Sequence, residues 1–178
     1  MNVLNALFIA AIVSSASAAT PARPFNVSHY EVALRVDPDV GWIASVVTLT
    51  IDVRQHLDVI KLDAENLSIE KVELLGTGSS APRQLNFEST QLALFIDPGS
   101  TLHPGPQRKI RIRYRAKPKR GVRFGEGQVF TAFHTEAWMP CITAPDDRAT
   151  FRLTLDLPSG MTVVANGNPD AVRAGAKG

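Results

Sequence analysis

The chain has 178 residues, 19 Lys and Arg against 17 Asp and Glu, and a formal net charge of +2. So even a balance does not demand a nucleic-acid partner, and a single cysteine, Cys141, excludes an intrachain disulfide. One domain is expected, because a chain of this length buries roughly 68–70% of its unfolded surface.

Met1 to Ala19 carry no charged side chain, and the apolar run Val3–Val13 precedes Ser14-Ser15-Ala16-Ser17-Ala18. That order, an apolar segment followed by small residues at an A-x-A-like site, is the pattern of a secretory signal. The run is too short for a membrane-spanning helix, which needs about 20 apolar residues. The expectation is a cleaved signal peptide over 1–18, export to the periplasm or cell exterior, and no transmembrane segment. Residues 19–25 read as an extended lead-in, since Pro21 and Pro24 disfavour helix before them. Asn26-Val27-Ser28 and Asn66-Leu67-Ser68 fit the N-glycosylation pattern.

From Tyr30 the residues alternate, with Tyr30, Val32, Leu34 and Val36 on one face and Glu31, Ala33, Arg35 and Asp37 on the other. Period-two alternation marks a half-buried strand. Asp37–Gly41 reads as a turn, and Ile43, Val47, Leu49, Ile51 and Val53 line a second strand. Shorter strands are expected near Val59–Leu62, Ser68–Leu75 and Gln91–Ile96. Ile110, Ile112 and Tyr114 face inward on the next, and Phe151, Leu153, Leu155 and Leu157 on the one after. No useful helix-period stretch follows residue 19. The fold class is therefore all-β: a curved double sheet, saddle- or sandwich-like, of mostly antiparallel strands.

Met161–Ala165 reads as a further strand, and Asn166-Gly167 is a strong hairpin signal. The residues after it, 168–178, hold only Val172 as a β-branched residue. The return strand is missing or very weak, so 168–178 reads as a truncated tail.

Chemistry-bearing residues are sparse. The four histidines are His29, His56, His103 and His134. None opens a His-Glu-x-x-His helix and no pair has ligand spacing, so each reads as a surface or hydrogen-bonded residue, with no metal site in the chain. Ser159-Gly160 and Gly78-Ser79-Ser80 lack the strand–Ser–helix context of a nucleophile elbow. Gly121–Gly127 is a Gly-rich loop with no helix behind it to bind phosphate. Cys141 has apolar neighbours and no basic one, which is the setting of an inert buried thiol. Lys109, Arg111, Arg113 and Arg115 share the outer face of one strand, read as a solvated edge guarded against sheet-to-sheet pairing. No aromatic stacking residue other than inward Tyr114 interleaves them, so nucleic acid is not the expected partner.

Several segments in order carry a resemblance. Asn26–Val32, Leu62–Ile69, Ile110–Tyr114, Trp138-Met139-Pro140-Cys141 with Pro145, Ala149-Thr150-Phe151, and Asn166-Gly167 together resemble the N-terminal β-domain of the M1 (aminopeptidase N-like) zinc aminopeptidases over about residues 26–167. The resemblance implies a non-catalytic domain, and a truncated copy of one, that packs on a catalytic domain and walls the substrate cleft. Zinc and its ligands would lie in that absent domain, and the chain alone would be inactive. A peptide N-terminus would be the ligand of the full-length enzyme. Two departures stand out. Thr143 occupies the place of the family's Asp after Pro-Cys. At the position that holds the substrate α-amine stands Thr131 by ungapped counting, or His134 by local pattern, and neither is the family's Glu or Gln. The alternative reading is a free-standing exported β-sandwich binding module with no peptidase role.

Two packing expectations follow. Trp138, Cys141 and Phe151 should share one core. Phe130 and Phe133, three apart, should point to opposite faces of an extended strand, so that one needs cover from elsewhere. An apolar patch is expected from Phe130 to Ala137, with His134 at its rim.

Overall fold

A computed structural model of the chain describes residues 23–170 except 77, 79 and 126. The expected signal peptide, most of the expected lead-in and the tail from 171 lie outside the described residues. The strands are Phe25–Asp37 (β1), Trp42–Val53 (β2), Ile60–Asp63 (β3), Ser68–Leu75 (β4), Arg83–Gln84 (β5), Asn86–Ser89 (β6), Ala93–Asp97 (β7), Gly105–Ala116 (β8), Val122–Gly125 (β9), Gln128–Thr131 (β10) and Thr150–Asp156 (β11). One 3-10 turn spans Thr135–Ala137. No helix among the described residues is long and apolar enough to cross a membrane.

The main sheet has six strands in the order β11-β1-β2-β8-β4-β5, and a three-stranded sheet has the order β3-β7-β6. All pairings are antiparallel except β1 with β11. The inner faces of the two sheets contribute to one hydrophobic cluster: Val32, Val47, Leu49, Ile110 and Ile112 from the first, Ile60, Leu62, Leu94 and Ile96 from the second. This is the double-sheet architecture expected from the alternation, with each fully buried aliphatic side chain stabilising by about 1.5–3 kcal/mol. The register shift between Val27 and His29 lets Phe25 and Val27 face the same core as Tyr30 and Val32 across a break in the period.

The turn at Asp37–Gly41 forms as expected. Gly41 has φ +71°, its N–H donates to the Asp37 carbonyl (3.0 Å), and the Val40 N–H donates to Asp37 Oδ1 (3.2 Å).

Four expectations fail. Met161–Ala165 forms no strand. Its β-branched residues suit a sheet, but no strand among the described residues offers it hydrogen bonds, and Val163 and Val164 stay exposed. Asn166-Gly167 consequently closes no hairpin. The Gly121–Gly127 stretch is not a loop: it supplies β9 and, through Gly127 at φ +75°, the turn into β10. Finally, the strand carrying Lys109, Arg111, Arg113 and Arg115 is no edge. β8 lies inside the sheet between β2 and β4. Two of its four cations are answered across the ladder, with Arg111 Nε 3.0 Å from Glu73 Oε2 and Arg115 Nε 2.7 Å from Glu70 Oε1. Hydrogen bonds from Lys71 and Arg111 hold the Glu73 carboxyl below its ordinary range against the opposing effect of burial.

Candidate functional site

The Trp138-Met139-Pro140-Cys141 block seals one end of the sandwich, and all four residues are buried. Three contacts hold it. The phenol of Tyr114, wholly buried on β8, donates to the Trp138 carbonyl (2.8 Å). Cys141 and Asp63 exchange backbone hydrogen bonds at 2.8 and 3.0 Å, extending the end of β3. The Ile142 N–H donates to Tyr30 Oη (3.2 Å). Burial raises the pKa of both tyrosines, so both phenols stay protonated at neutral pH. The indole N–H of Trp138 has no acceptor among the described residues.

Thr143, where the family pattern has Asp, turns its hydroxyl and N–H to the same oxygen, Asp63 Oδ2, at 2.7 and 3.0 Å. The carboxylate that organises this corner is thus supplied by β3. The sequence signal was present in the Leu62-Asp63-Ala64 segment, but nothing in the spacing linked it to Thr143, 80 residues on.

Cys141 is buried, and burial, reinforced by the nearby carboxylates of Asp63, Glu136 and Asp147, pushes its thiol up to about 12. A raised folded-state value means that the stability contributed by the protonated thiol is fully present below the unfolded pKa and is lost as pH rises through about 12. Alkylation of the native chain by iodoacetamide at pH 8 should be about a thousandfold slower than of the chain in denaturant, where the thiol titrates near 8.5. Equal rates in the two states would contradict the buried placement.

The β9–β10 hairpin leans over this block. At its base Gly121 has φ +78°, and a Cβ there would lie 2.6 Å from the His134 carbonyl oxygen and 3.2 Å from Trp138 Cδ1. Thr131 Oγ1 donates to the Gly121 carbonyl (2.8 Å) and ties the far strand of the hairpin back to its base. Phe133 and His134 then take φ of +57° and +45° in succession. Two non-glycine residues in the left-handed region are costly, and they reverse the chain sharply into the 3-10 turn. The segment is therefore not extended at Phe133, and the expected alternation of the two phenylalanines does not apply. Both are exposed, Phe130 by 59% and Phe133 by 87%. An open groove of about 540 Å³ runs along the hairpin past Arg123, Phe124 and Phe130.

Beside the reversal, Arg120 bridges Glu65 and Glu136. Its Nε is 2.8 Å from Glu65 Oε2 and its Nη2 is 3.4 Å from Glu136 Oε1. His134 Nδ1 lies 3.3 Å from the same Glu136 oxygen. Thr131 and His134 both reach the surface at this end of the hairpin. The Thr131 hydroxyl is engaged by the Gly121 carbonyl and His134 is turned to Glu136, and the carboxylates at this end of the hairpin are those of Glu65 and Glu136. Neither glutamate was singled out by the sequence.

Of the structural motif residues, Trp138, Pro140 and Cys141 are core, while Pro145, Asn166 and Gly167 are exposed. The expectation that Phe151 joins Trp138 and Cys141 is wrong: Phe151 is 48% exposed. Among the described residues β11 lies at the sheet margin, paired with β1 alone, so Phe151 opposite Tyr30 has little above it. The histidines also hold a surprise, because His56 and His103 come together with ring centres 4.9 Å apart. Among the described residues no group of three or more His, Cys, Asp or Glu side chains is placed to hold a metal.

Comparison with known proteins agrees with this architecture. A family model described as the Peptidase M1 N-terminal domain matches residues 26–178. The puromycin-sensitive aminopeptidase of Caenorhabditis elegans is 25% identical over 157 residues, covering 79% of this chain but 17% of that protein. The M1 zinc metallopeptidase of Deinococcus radiodurans superposes with a TM-score of 0.69 at 23% identity, over 78% of this chain and 33% of its own. Yeast LTA4 hydrolase superposes with a TM-score of 0.63 at 21% identity, over 76% and 23% of the two chains. The chain thus spans about a sixth of the curated relative and about a third of the first solved structure. With its double sheet, its sealed Trp-Met-Pro-Cys corner and this match along nearly all of its length, the chain belongs to the M1 peptidase N-terminal domain family.

Proposed function

We propose that the chain serves as the non-catalytic N-terminal β-domain of an exported M1-type zinc metalloaminopeptidase, packing on a catalytic domain and walling one side of its substrate cleft. Zinc, its ligands and the general base belong on this reading to the partner domain. The role of this chain is to present a rigid wall. The supporting observation is a pair of exposed apolar side chains beside a stiff hairpin base. Phe130 on β10 and Phe133 in the reversal just after it are uncovered, yet the base of the hairpin beside them is tied down through Gly121, Thr131 and Trp138. Exposed apolar groups on an otherwise polar surface mark interaction sites. The positions that resemble the family's amine anchor hold Thr131 and His134, so a substrate α-amine would meet the Glu136–His134 pair rather than a free carboxylate at the usual position.

The full chain should bind a hydrophobic dye or self-associate while folded. The double variant F130S/F133S should lose that behaviour with its unfolding midpoint unchanged, since surface substitutions stay within about 0.5 kcal/mol. A wild-type chain that is a clean monomer without dye binding, or a double variant that unfolds, would overturn the interface assignment and favour a free-standing module.

A further inference from the structure

The juxtaposed histidines lie outside the hairpin face and outside the proposed role. Leu57 and Leu102 exchange both backbone hydrogen bonds, at 3.0 and 2.9 Å, in an isolated antiparallel bridge between the β2–β3 and β7–β8 connections. Both leucines point into the core. Their neighbours are therefore directly opposed pairs on the outer face, where side chains stand closest. One such pair is His56 with His103. The other is Asp58 with Thr101, whose hydroxyl donates to Asp58 Oδ1 at 2.5 Å. Both imidazoles are exposed, and Pro104 keeps His103 in extended backbone.

We propose that His56 and His103 form a two-point chelate for a borderline divalent transition-metal ion, with Cu²⁺ the tightest of the series. Metal–nitrogen bonds of about 2.0–2.1 Å put the ring centres of two imidazoles sharing one ion about 4.5–5.2 Å apart. The observed 4.9 Å meets that spacing without backbone movement. The rings lie edge to face at 85°, and a terminal imidazole torsion is broad enough to turn both nitrogens onto one ion. Imidazole suits Cu²⁺, Ni²⁺ and Zn²⁺, with affinity rising to Cu²⁺ in the usual order. The carboxylate of Asp58, one pair along on the same face, adds charge of the right sign for a cation.

The test is a Cu²⁺ titration of the untagged full chain by calorimetry, with electron paramagnetic resonance on the loaded protein. Wild type should bind one ion about 10–100-fold more tightly than H56A or H103A, because the second imidazole binds at high effective concentration. The double variant should be no worse than either single one, and the spectrum should show two equivalent nitrogens in wild type alone. H29A/H134A should match wild type. H56Q and H103Q serve if an alanine variant fails to fold. Equal Cu²⁺ affinity in wild type and H56A would reduce the pair to a packing contact, and loss of binding in H29A/H134A would place the ion elsewhere. Either result overturns the assignment. Neither bears on the M1 reading, which rests on other residues.

Discussion

Replacing Trp138 with alanine is expected to destabilise the chain by about 3–5 kcal/mol, the range for removing a large buried aromatic. Trp138 is 8% exposed, it closes the end of the sandwich, and its carbonyl is the acceptor for the buried Tyr114 phenol. The alanine would leave a cavity beneath Gly121 and loosen the backbone that satisfies Tyr114. In thermal unfolding the loss should appear as a midpoint lower by on the order of 10 °C. Trp138→Phe should cost far less, about 1.5 kcal/mol or below, because the indole N–H has no acceptor among the described residues to lose. A Trp42→Phe background isolates the Trp138 fluorescence, which should be blue-shifted and poorly quenched. An alanine variant within 1 kcal/mol of its parent, as an order-of-magnitude threshold, would remove Trp138 from the core.

Gly121 carries the second large effect. Alanine there meets two obstacles. One is the left-handed φ of +78°, and the other is a Cβ only 2.6 Å from the His134 carbonyl oxygen. Gly127 provides the control, since its φ is +75° but its Cβ would meet nothing within 4 Å. Gly127→Ala should therefore cost only the backbone penalty, about 1–2 kcal/mol. Gly121→Ala should cost that and the clash, with the excess amounting to about 1–3 kcal/mol. Because the clash falls between the hairpin base and the His134 reversal, Gly121→Ala should also shift the Trp138 fluorescence, and Gly127→Ala should not. Equal losses in urea unfolding would mean that the hairpin does not pack on Trp138 as described.

The long strands were legible because their alternation is regular and their inward residues are uniformly apolar: Tyr30 to Val36 and Ile43 to Val53 face the core as their period requires. The Trp-Met-Pro-Cys corner was legible through the resemblance. Other features depended on partners that a linear reading does not see. Phe151 reads as an inward strand residue, but inwardness fails at a sheet margin. Met161–Ala165 has strand propensity and, among the described residues, no ladder to join. Lys109 to Arg115 read as an edge, whereas the strand is interior, with Arg111 and Arg115 paired to Glu73 and Glu70 on β4. The spacing between Phe130 and Phe133 assumes extended backbone, and consecutive positive φ values at Phe133 and His134 break that assumption. His56 and His103 are brought together only by the Leu57–Leu102 bridge, which sequence separation conceals.

On the proposed reading, this folded domain leaves peptide hydrolysis to a zinc domain that belongs with it. The most direct measurement is to sequence the transcript past the codon for Gly178. The proposed role requires a continuing reading frame, in register or after one shift, that encodes a His-Glu-x-x-His helix with a Glu further on. A stop codon followed by unrelated sequence, in transcripts that yield a secreted and stable protein of this length, would contradict it and establish a free-standing β-sandwich module.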